Sequence, residues 1–161
     1  MEVKNVFITS NVLTSRSANA YTVYIPNVIK DIHRVEVTYA TYNLPVQTPF
    51  VYLDIQELRS PLFNMTAIAN PSSYTSSGVT TSQNLAESAF AVLPGGLSGQ
   101  TFYNNASNYS IVVDYPFPIQ KLDRLTVSWH SEAGPIPFPP DSETAVLLKL
   151  YTLRKNMGPF Q

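Results

Sequence analysis

The sequence predicts an all-β protein, built as a sandwich or a barrel, and three observations lead to this fold class. Apolar and polar residues alternate along several short stretches, which is the two-residue period of a strand with one buried face. Many of these stretches end at one of the 13 prolines, and proline cannot donate to a strand ladder. No stretch shows the 3.6-residue period of a long amphipathic helix. Together these features favour packed sheets over helical or mixed folds.

The clearest pair of strands lies between residues 31 and 58, and we expect it to form the centre of the domain. In each strand the apolar residues fall on one face, and β-branched and aromatic residues suit that pleated surface. These apolar residues are Val35, Val37 and Tyr39 in the first strand, and Val51, Leu53 and Ile55 in the second. Pro45 and Pro49 lie between the two strands. The chain is therefore predicted to leave the sheet there and to re-enter it after Phe50.

The other predicted strands are short and are separated by turn signals. They cover residues 3–8, 21–25, 89–93, 100–103, 110–115, 124–130 and 145–151. We expect Pro26 to end the second of them. The last one is apolar on both faces, as expected for a strand in the middle of a covered sheet. About eight strands in two antiparallel sheets would form a jelly roll, although strand number alone also fits an immunoglobulin-like sandwich.

The length of 161 residues suits one domain, which we assign to residues 1–161. Residues 1–19 are interpreted as an N-terminal arm that holds the first strand and a polar loop. Residues 59–88 form a long predicted loop rich in Ser and Thr, and loops of this length are usually functional. Residues 154–161 follow the last strand as a C-terminal tail.

The surface is predicted to be poor in charge. Only 13% of the residues are charged, against about 25% in average proteins. Ser, Thr, Asn, Gln and Tyr must then cover much of the surface, and such a surface repels other copies only weakly. The ten tyrosines and eight phenylalanines fit an interface as well as they fit a strand-rich core. We therefore expect the chain to associate with itself.

Charge and cysteine content argue against several function classes. The formal net charge is −1 and the basic residues are scattered, whereas proteins that bind nucleic acid through phosphates carry a basic excess. No cysteine is present, so we expect neither disulfides nor a thiolate metal site. The N-terminus lacks the pattern of a signal peptide. No apolar stretch approaches the roughly 20 residues that cross a bilayer, so no transmembrane segment is expected.

No motif in the sequence predicts a catalytic, cofactor-binding or metal-binding site. His33 and His130 are the only histidines, and although His130 lies near Glu132, no third ligand has suitable spacing for a metal. No Gly-x-Ser-x-Gly nucleophile elbow occurs. Residues 95–101 are similar to a phosphate loop, but Gln100 stands where a lysine would hold the phosphate. We therefore predict that the chain is not an enzyme and binds no cofactor.

The order of features between residues 21 and 58 resembles that of a known family. In chain order the features are Tyr21-x-Val23-x-Ile25-Pro26, Val35-x-Val37, Leu44-Pro45 and Val51-Tyr52-Leu53-x-Ile55. This order is similar to the N-terminal half of the single jelly-roll capsid proteins of large eukaryotic DNA viruses and their virophages. That family includes penton, or vertex, proteins and related minor capsid proteins.

A second segment, residues 117–127, adds to the resemblance. It reads FPIQKLDRLTV and is similar to the family's entry into its penultimate strand. The family often continues with an Asp-x-x-Gly turn. The turn here is Ser131-Glu132-Ala133-Gly134, which keeps the glycine and displaces the acidic residue. By these patterns the resemblance spans roughly two thirds of the chain.

The resemblance implies an eight-stranded antiparallel jelly-roll sandwich and a structural role in a virion. The expected role is a penton component at the five-fold vertex of an icosahedral double-stranded DNA virus, a homo-oligomer, most simply a pentamer, that acts through its interfaces. Neighbouring major and minor capsid proteins would be its partners, without direct contact to nucleic acid. It would be made in the host cytoplasm and reside in the virion capsid.

Two alternatives to the penton role remain open. The first is a minor capsid or cement protein beneath the facets. The second belongs to another class, a glycan- or receptor-binding sandwich whose tyrosine-containing loops stack on sugars. Those loops would be residues 72–81 and 99–109.

Overall fold

The computed structural model describes residues 1–11, 16–59 and 89–153, and these residues form ten β-strands. The strands are β1 (Glu2–Thr9), β2 (Ala20–Ile29), β3 (Ile32–Leu44), β4 (Thr48–Ile55), β5 (Ala91–Gly96), β6 (Gly99–Asn104), β7 (Ile111–Ile119), β8 (Leu122–Ser131), β9 (Gly134–Pro135) and β10 (Ala145–Thr152). A single 3-10 turn, Gln56–Leu58, follows β4. None of the described segments is a helix long and apolar enough to cross a bilayer.

The strands form two antiparallel sheets. The first sheet has the order β1-β10-β3, with β6 and β7 beyond β3, and the second has the order β2-β8-β4-β5, with β9 beside β8. On β3, strand β10 occupies one edge from Ile32 to Thr41. Because a strand has only two edges, β7 and β6 must share the other, where β7 pairs with residues 32–37 and β6 with residues 39–44. Strands β7 and β6 therefore follow one another along the same edge.

The predicted all-β sandwich of two antiparallel sheets is confirmed, but the predicted number of eight strands is wrong. Ten strands are present in the described residues. Strand β9 has two residues, which is too short for any period to be read from the sequence. A turn at residues 105–107 separates β6 from β7, which would otherwise count as one long strand. Residues 60–88 of the predicted loop 59–88, and the predicted tail 154–161, lie outside the described residues.

Pro26 does not end β2, contrary to the prediction. Strand β2 continues through it to Ile29, but its pairing with β8 stops at Tyr24 and resumes only at Ile29. The residues between them bulge out of the ladder, so the missing proline N–H breaks no ladder bond there. The predicted physical effect of the proline is present, but it interrupts the pairing without ending the strand.

The core lies between the two sheets and contains most of the residues that the alternation assigned to it. The assignment of Tyr39 is wrong, because the pairing of β3 with β10 shifts register between Val37 and Tyr39 and turns Tyr39 to the outer face. Fully buried examples are Val35, Val37, Val51, Leu53, Ile55, Leu125, Val127 and Trp129. Each such aliphatic side chain contributes about 1.5–3 kcal/mol through its removal from water. The Trp129 ring lies 5.5 Å from the ring of Tyr42 and 6.0 Å from that of Phe138, measured between centroids. Trp129 thus joins the second sheet to β3 of the first.

The two sheets also meet where β3 of the first sheet contacts β5 of the second. Tyr42 is buried, which raises the pKa of its hydroxyl, and this hydroxyl donates to the carbonyl of Pro94. Next to Pro94, the backbone of Gly95 lies directly against that of Thr48 and Pro49. A Cβ atom at Gly95 would lie 1.7 Å from the Thr48 carbonyl oxygen and 2.4 Å from the Pro49 carbonyl carbon. Only glycine allows this close approach of two backbones.

We predict that Gly95→Ala lowers the free energy of unfolding by about 1–3 kcal/mol, which is the usual range for overpacking. The reason is that the added methyl meets backbone atoms, which cannot rotate away as a side chain can. The measurement is urea denaturation followed by tryptophan fluorescence. Gly96→Ala is the matched control, because its nearest neighbour, Thr101 Oγ1, is 3.5 Å away. Equal stabilities of the two variants would contradict the packing described here.

Candidate interaction surfaces

A buried polar cluster lies on the outer face of the second sheet. Tyr52 and Asp54 on β4 point away from the core, yet they are only 5% and 8% exposed. In the ladder they lie opposite His130 and Ser128 of β8. The guanidinium of Arg59 donates to both carboxylate oxygens of Asp54, through Nε to Oδ1 at 2.8 Å and through Nη2 to Oδ2. This ion pair raises the pKa of Arg59 and compensates the buried carboxylate.

His130 sits in this cluster as a largely neutral imidazole. Its Nε2 atom lies 3.0 Å from Ser128 Oγ, while its Nδ1 atom is buried and has no hydrogen-bond partner in the described structure. Burial lowers the pKa of His130; the nearby Asp54 carboxylate opposes this effect and Arg59 adds to it. A Ser-His pair is therefore present, but it lacks the acceptor on Nδ1 that orients the base of a Ser-His-Asp triad.

Glu57 fastens the 3-10 turn to β8 beside this cluster. Its carboxylate accepts from the backbone N–H of Thr126 at 2.7 Å and from the Thr126 hydroxyl at 2.8 Å. The Nε atom of Arg124 is 3.7 Å from the same carboxylate. These bonds hold the 3-10 turn against the second sheet. The cluster is best explained as a structural attachment of this turn to β8.

A second polar cluster lies on the outer face of the first sheet, around Tyr151. Arg34 pairs with Asp114 across β3 and β7, with 2.6 Å between Nε and Oδ1, and this bond lowers the pKa of Asp114. The Tyr151 hydroxyl donates to Glu36 at 2.9 Å, and the Asn105 amide donates to the same carboxylate at 2.7 Å. Arg34 and Asp114 are both largely exposed, so the pair contributes little to stability. This part of the sheet is a solvated, charged surface.

An apolar row crosses the same outer face toward the other end of the strands. The ladders place Phe7 of β1 opposite Leu147 of β10, and Leu147 opposite Tyr39 of β3. The Tyr39 ring is 6.4 Å from that of Phe102 on β6, between centroids. Phe7 is 62% exposed and Phe102 is 57% exposed. Four strands thus present one continuous apolar strip to solvent, which is a common feature of interfaces.

A groove of about 530 Å³ lies along the side of the sandwich, between β1 and β2. Each of these strands is the last in its sheet, so each has one unpaired edge. Apolar side chains from both strands line the groove, among them Val6, Ile8, Val23, Ile25 and Ile29. Charged residues remain close to this edge, since Lys4 lies in the groove and pairs with Glu2 at 3.8 Å. Phe7 belongs to both the groove and the apolar strip, so the two adjoin, and both are suited to contact with another protein.

The structure does not bring together the residues that the sequence analysis weighed as metal ligands. His33 lies on β3 and His130 on β8, in different sheets. Within the described residues, no group of three His, Cys, Asp or Glu side chains is arranged to hold a metal ion. Asp114 pairs with Arg34, and Asp123 pairs with Lys121 at 2.7 Å. The segment that is similar to a phosphate loop forms the end of β5 and the turn into β6.

Sequence reasoning did not identify the cluster around Asp54. One signal was available, because Asp54 is the single charged residue in an otherwise apolar or uncharged strand. A charged residue within such a strand requires a partner when it is covered. No protein-family model matches the chain, and no curated protein matches it either.

We predict that acidification from pH 7.5 to pH 5 lowers the stability of the wild type and that His130→Gln reduces this loss. The pKa of His130 is depressed in the folded state, so the unfolded chain takes up the proton first, near its usual value of about 6.5. The stabilising contribution is therefore complete above about pH 6.5 and is lost as the pH falls toward the folded pKa.

The effect should be small, because His130 is only partly buried. Thermal unfolding at both pH values measures it. His33→Gln is the matched control, since it leaves His130 and its surroundings in place. The same pH dependence in His130→Gln and the wild type would contradict the assignment.

Proposed function

We propose that the chain is a structural protein of a virion: a single jelly-roll capsid subunit that forms the penton at the five-fold vertices of an icosahedral double-stranded DNA virus. The observation that carries this proposal is the order in which the strands pair. It acts by burying interfaces and not by catalysis. It is made in the host cytoplasm, resides in the capsid, and contacts neighbouring major and minor capsid proteins without direct contact to nucleic acid.

The pairing order is nested. If β6 and β7 count as one interrupted strand and the two-residue β9 is set aside, eight strand positions remain. The first pairs with the last (β1 with β10), β2 with β8, β3 with β6 and β7, and β4 with β5. One long hairpin rolled into a sandwich would have this pattern, so the pairing order supports a jelly roll. An immunoglobulin-like sandwich instead pairs its second strand with its fifth and its third with its sixth.

The fold by itself leaves several functions open, because jelly rolls occur in capsid, lectin and cupin domains. Three further observations favour a capsid subunit. The sequence patterns between residues 21 and 58 and in residues 117–127 resemble the capsid family. The charged fraction is low, at 13%. The apolar strip and the groove adjoin at Phe7 and extend from it over an outer face and a side of the sandwich, and a closed ring requires two different contact surfaces on every subunit.

The glycan-binding alternative receives less support from the described residues. In the predicted loop of residues 99–109, Tyr103 is fully buried, and its hydroxyl donates to the Tyr109 carbonyl at 2.7 Å. The Tyr109 hydroxyl donates to the carbonyl of Val92 at 2.6 Å. Both hydroxyls therefore hold the protein's own backbone together. The other predicted loop, residues 72–81, lies outside the described residues.

We predict that the purified chain forms a closed ring of five copies. Native mass spectrometry over a range of concentrations should show a species of five chain masses, and class averages from electron microscopy should show five-fold symmetry. A chain that stays monomeric at every concentration and binds glycans on an array would contradict the proposal. Localisation beneath the facets of a particle would remove the penton role and keep the cement alternative.

A further inference from the structure

The two longest uncharged segments of the described residues lie side by side in the fold. No Lys, Arg, His, Asp or Glu occurs in residues 37–53 or in residues 89–113. The first segment includes most of β3, the turn into β4 and most of β4, and the second includes β5, β6 and the start of β7. We refer to these two segments together as the charge-free corner. All described charged residues lie outside it.

The ladders show why these segments form one corner. Leu44 at the end of β3 lies opposite Gly99 at the start of β6. Thr48 at the start of β4 lies opposite Gly96 at the end of β5. The turns at residues 45–47 and 97–98 are therefore neighbours at one end of the sandwich. The corner also includes a lateral side, because β5 and β6 are the last strands of their respective sheets.

The corner exposes large apolar side chains. Leu97 is 74% exposed, Val46 63%, Phe102 57% and Phe50 49%. Natural proteins usually protect the edge of a sheet with charged side chains, proline or a covering segment. At this edge β5 contains Pro94, but no charged side chain of the described residues lies on β5 or β6. An uncharged edge with exposed apolar groups is an association surface.

The absence of charge is specific to the corner and not to the whole end of the sandwich. Antiparallel pairing places the β1–β2 and the β8–β10 connections at the same end. The first connection contains Arg16, and the second contains Glu132, Asp141 and Glu143. Charged residues are therefore tolerated at this end, except where β3 to β6 form it.

A symmetric assembly gives a physical reason for this distribution. Around a rotation axis, residues near the axis approach the identical residues of the other copies. A charged residue there would face the same charge on the neighbouring copies, and like charges at close range repel. Away from the axis, different residues meet across each contact, so charges can be paired. The part of a ring subunit that meets its own copies is therefore the part that should lack charge.

We propose that the charge-free corner faces the symmetry axis of the ring and packs against the same corner of neighbouring copies. The occupant of this surface is thus a second copy of the chain. This inference rests on the proposed function, since it needs a ring, and it adds which residues of the subunit line the axis.

Single-cysteine variants test the proposal, because the chain has no native cysteine. A symmetric cross-link requires the same residue of two copies to approach, and a disulfide requires Cα atoms about 4.4–6.8 Å apart. Assembled rings of Leu97→Cys and of Val46→Cys are treated with a mild oxidant or a short bismaleimide. Both variants should then show covalent dimers on denaturing gels. Phe117→Cys is the matched control: it is 83% exposed and lies at the end of β7, at the opposite end of the sandwich. It should stay uncross-linked.

Charge variants provide a second readout. Leu97→Asp should raise the concentration at which half of the chain is assembled by tenfold or more, because it places one negative charge per copy around the axis. Leu97→Asn, which is polar and uncharged, should raise it much less, and Phe117→Asp should leave it near the wild-type value. Circular dichroism confirms that each variant is folded.

The outcomes separate the two proposals. If the wild type forms a ring and Leu97→Cys and Val46→Cys do not cross-link, or if Leu97→Asp and Phe117→Asp weaken assembly equally, the corner does not face the axis and the proposed function stands. If the wild type forms no assembly at any concentration, both proposals fail. Cross-linking of the corner variants together with selective weakening by Leu97→Asp supports the inference.

Discussion

Strand β3 is the element on which the rest of the sandwich depends, because it is paired along both edges. β10 covers one edge, and β7 and then β6 cover the other. These partners come from the middle and the far end of the chain, so the centre of the first sheet is complete only when distant segments have met. Its inward residues Val35, Val37 and Tyr42 are fully buried. A slip of one residue would turn them to solvent, and this fixes the register of all three neighbours.

Most of the inner face of the sandwich could be predicted from the sequence, whereas the register shift that turns Tyr39 outward and the cover of the outer faces could not. Alternation identified Leu53 in β4 and Trp129 in β8 as core residues, and both are fully buried. The same alternation assigned Tyr52 and Asp54 to the opposite face, where solvent would be expected, yet they are buried. The two-residue period shows which residues share a face. It contains no information about which other segment covers that face.

The polar clusters show the same limit. The Asp54–Arg59 pair joins residues five positions apart in the chain, and a short-range search for opposite charges could have found it. The bonds between Glu57 and Thr126 span 69 positions and exist only because β4 and β8 are neighbours in the second sheet. Strand pairing in a nested topology is set by the whole chain. Contacts between paired strands therefore depend on the topology and cannot be predicted from local sequence patterns.

The effect of the low charge content on association depends on where the fold places the uncharged segments. A charged fraction of 13% describes an average, and an average predicts only that copies repel one another weakly. The fold concentrates the effect. Charged residues are retained beside the groove, as at Lys4, and around Tyr151, while two segments that are distant in the chain bring their uncharged residues to one corner. Because the same composition spread evenly would leave no such region, the position of the missing charges says more about association than their number does.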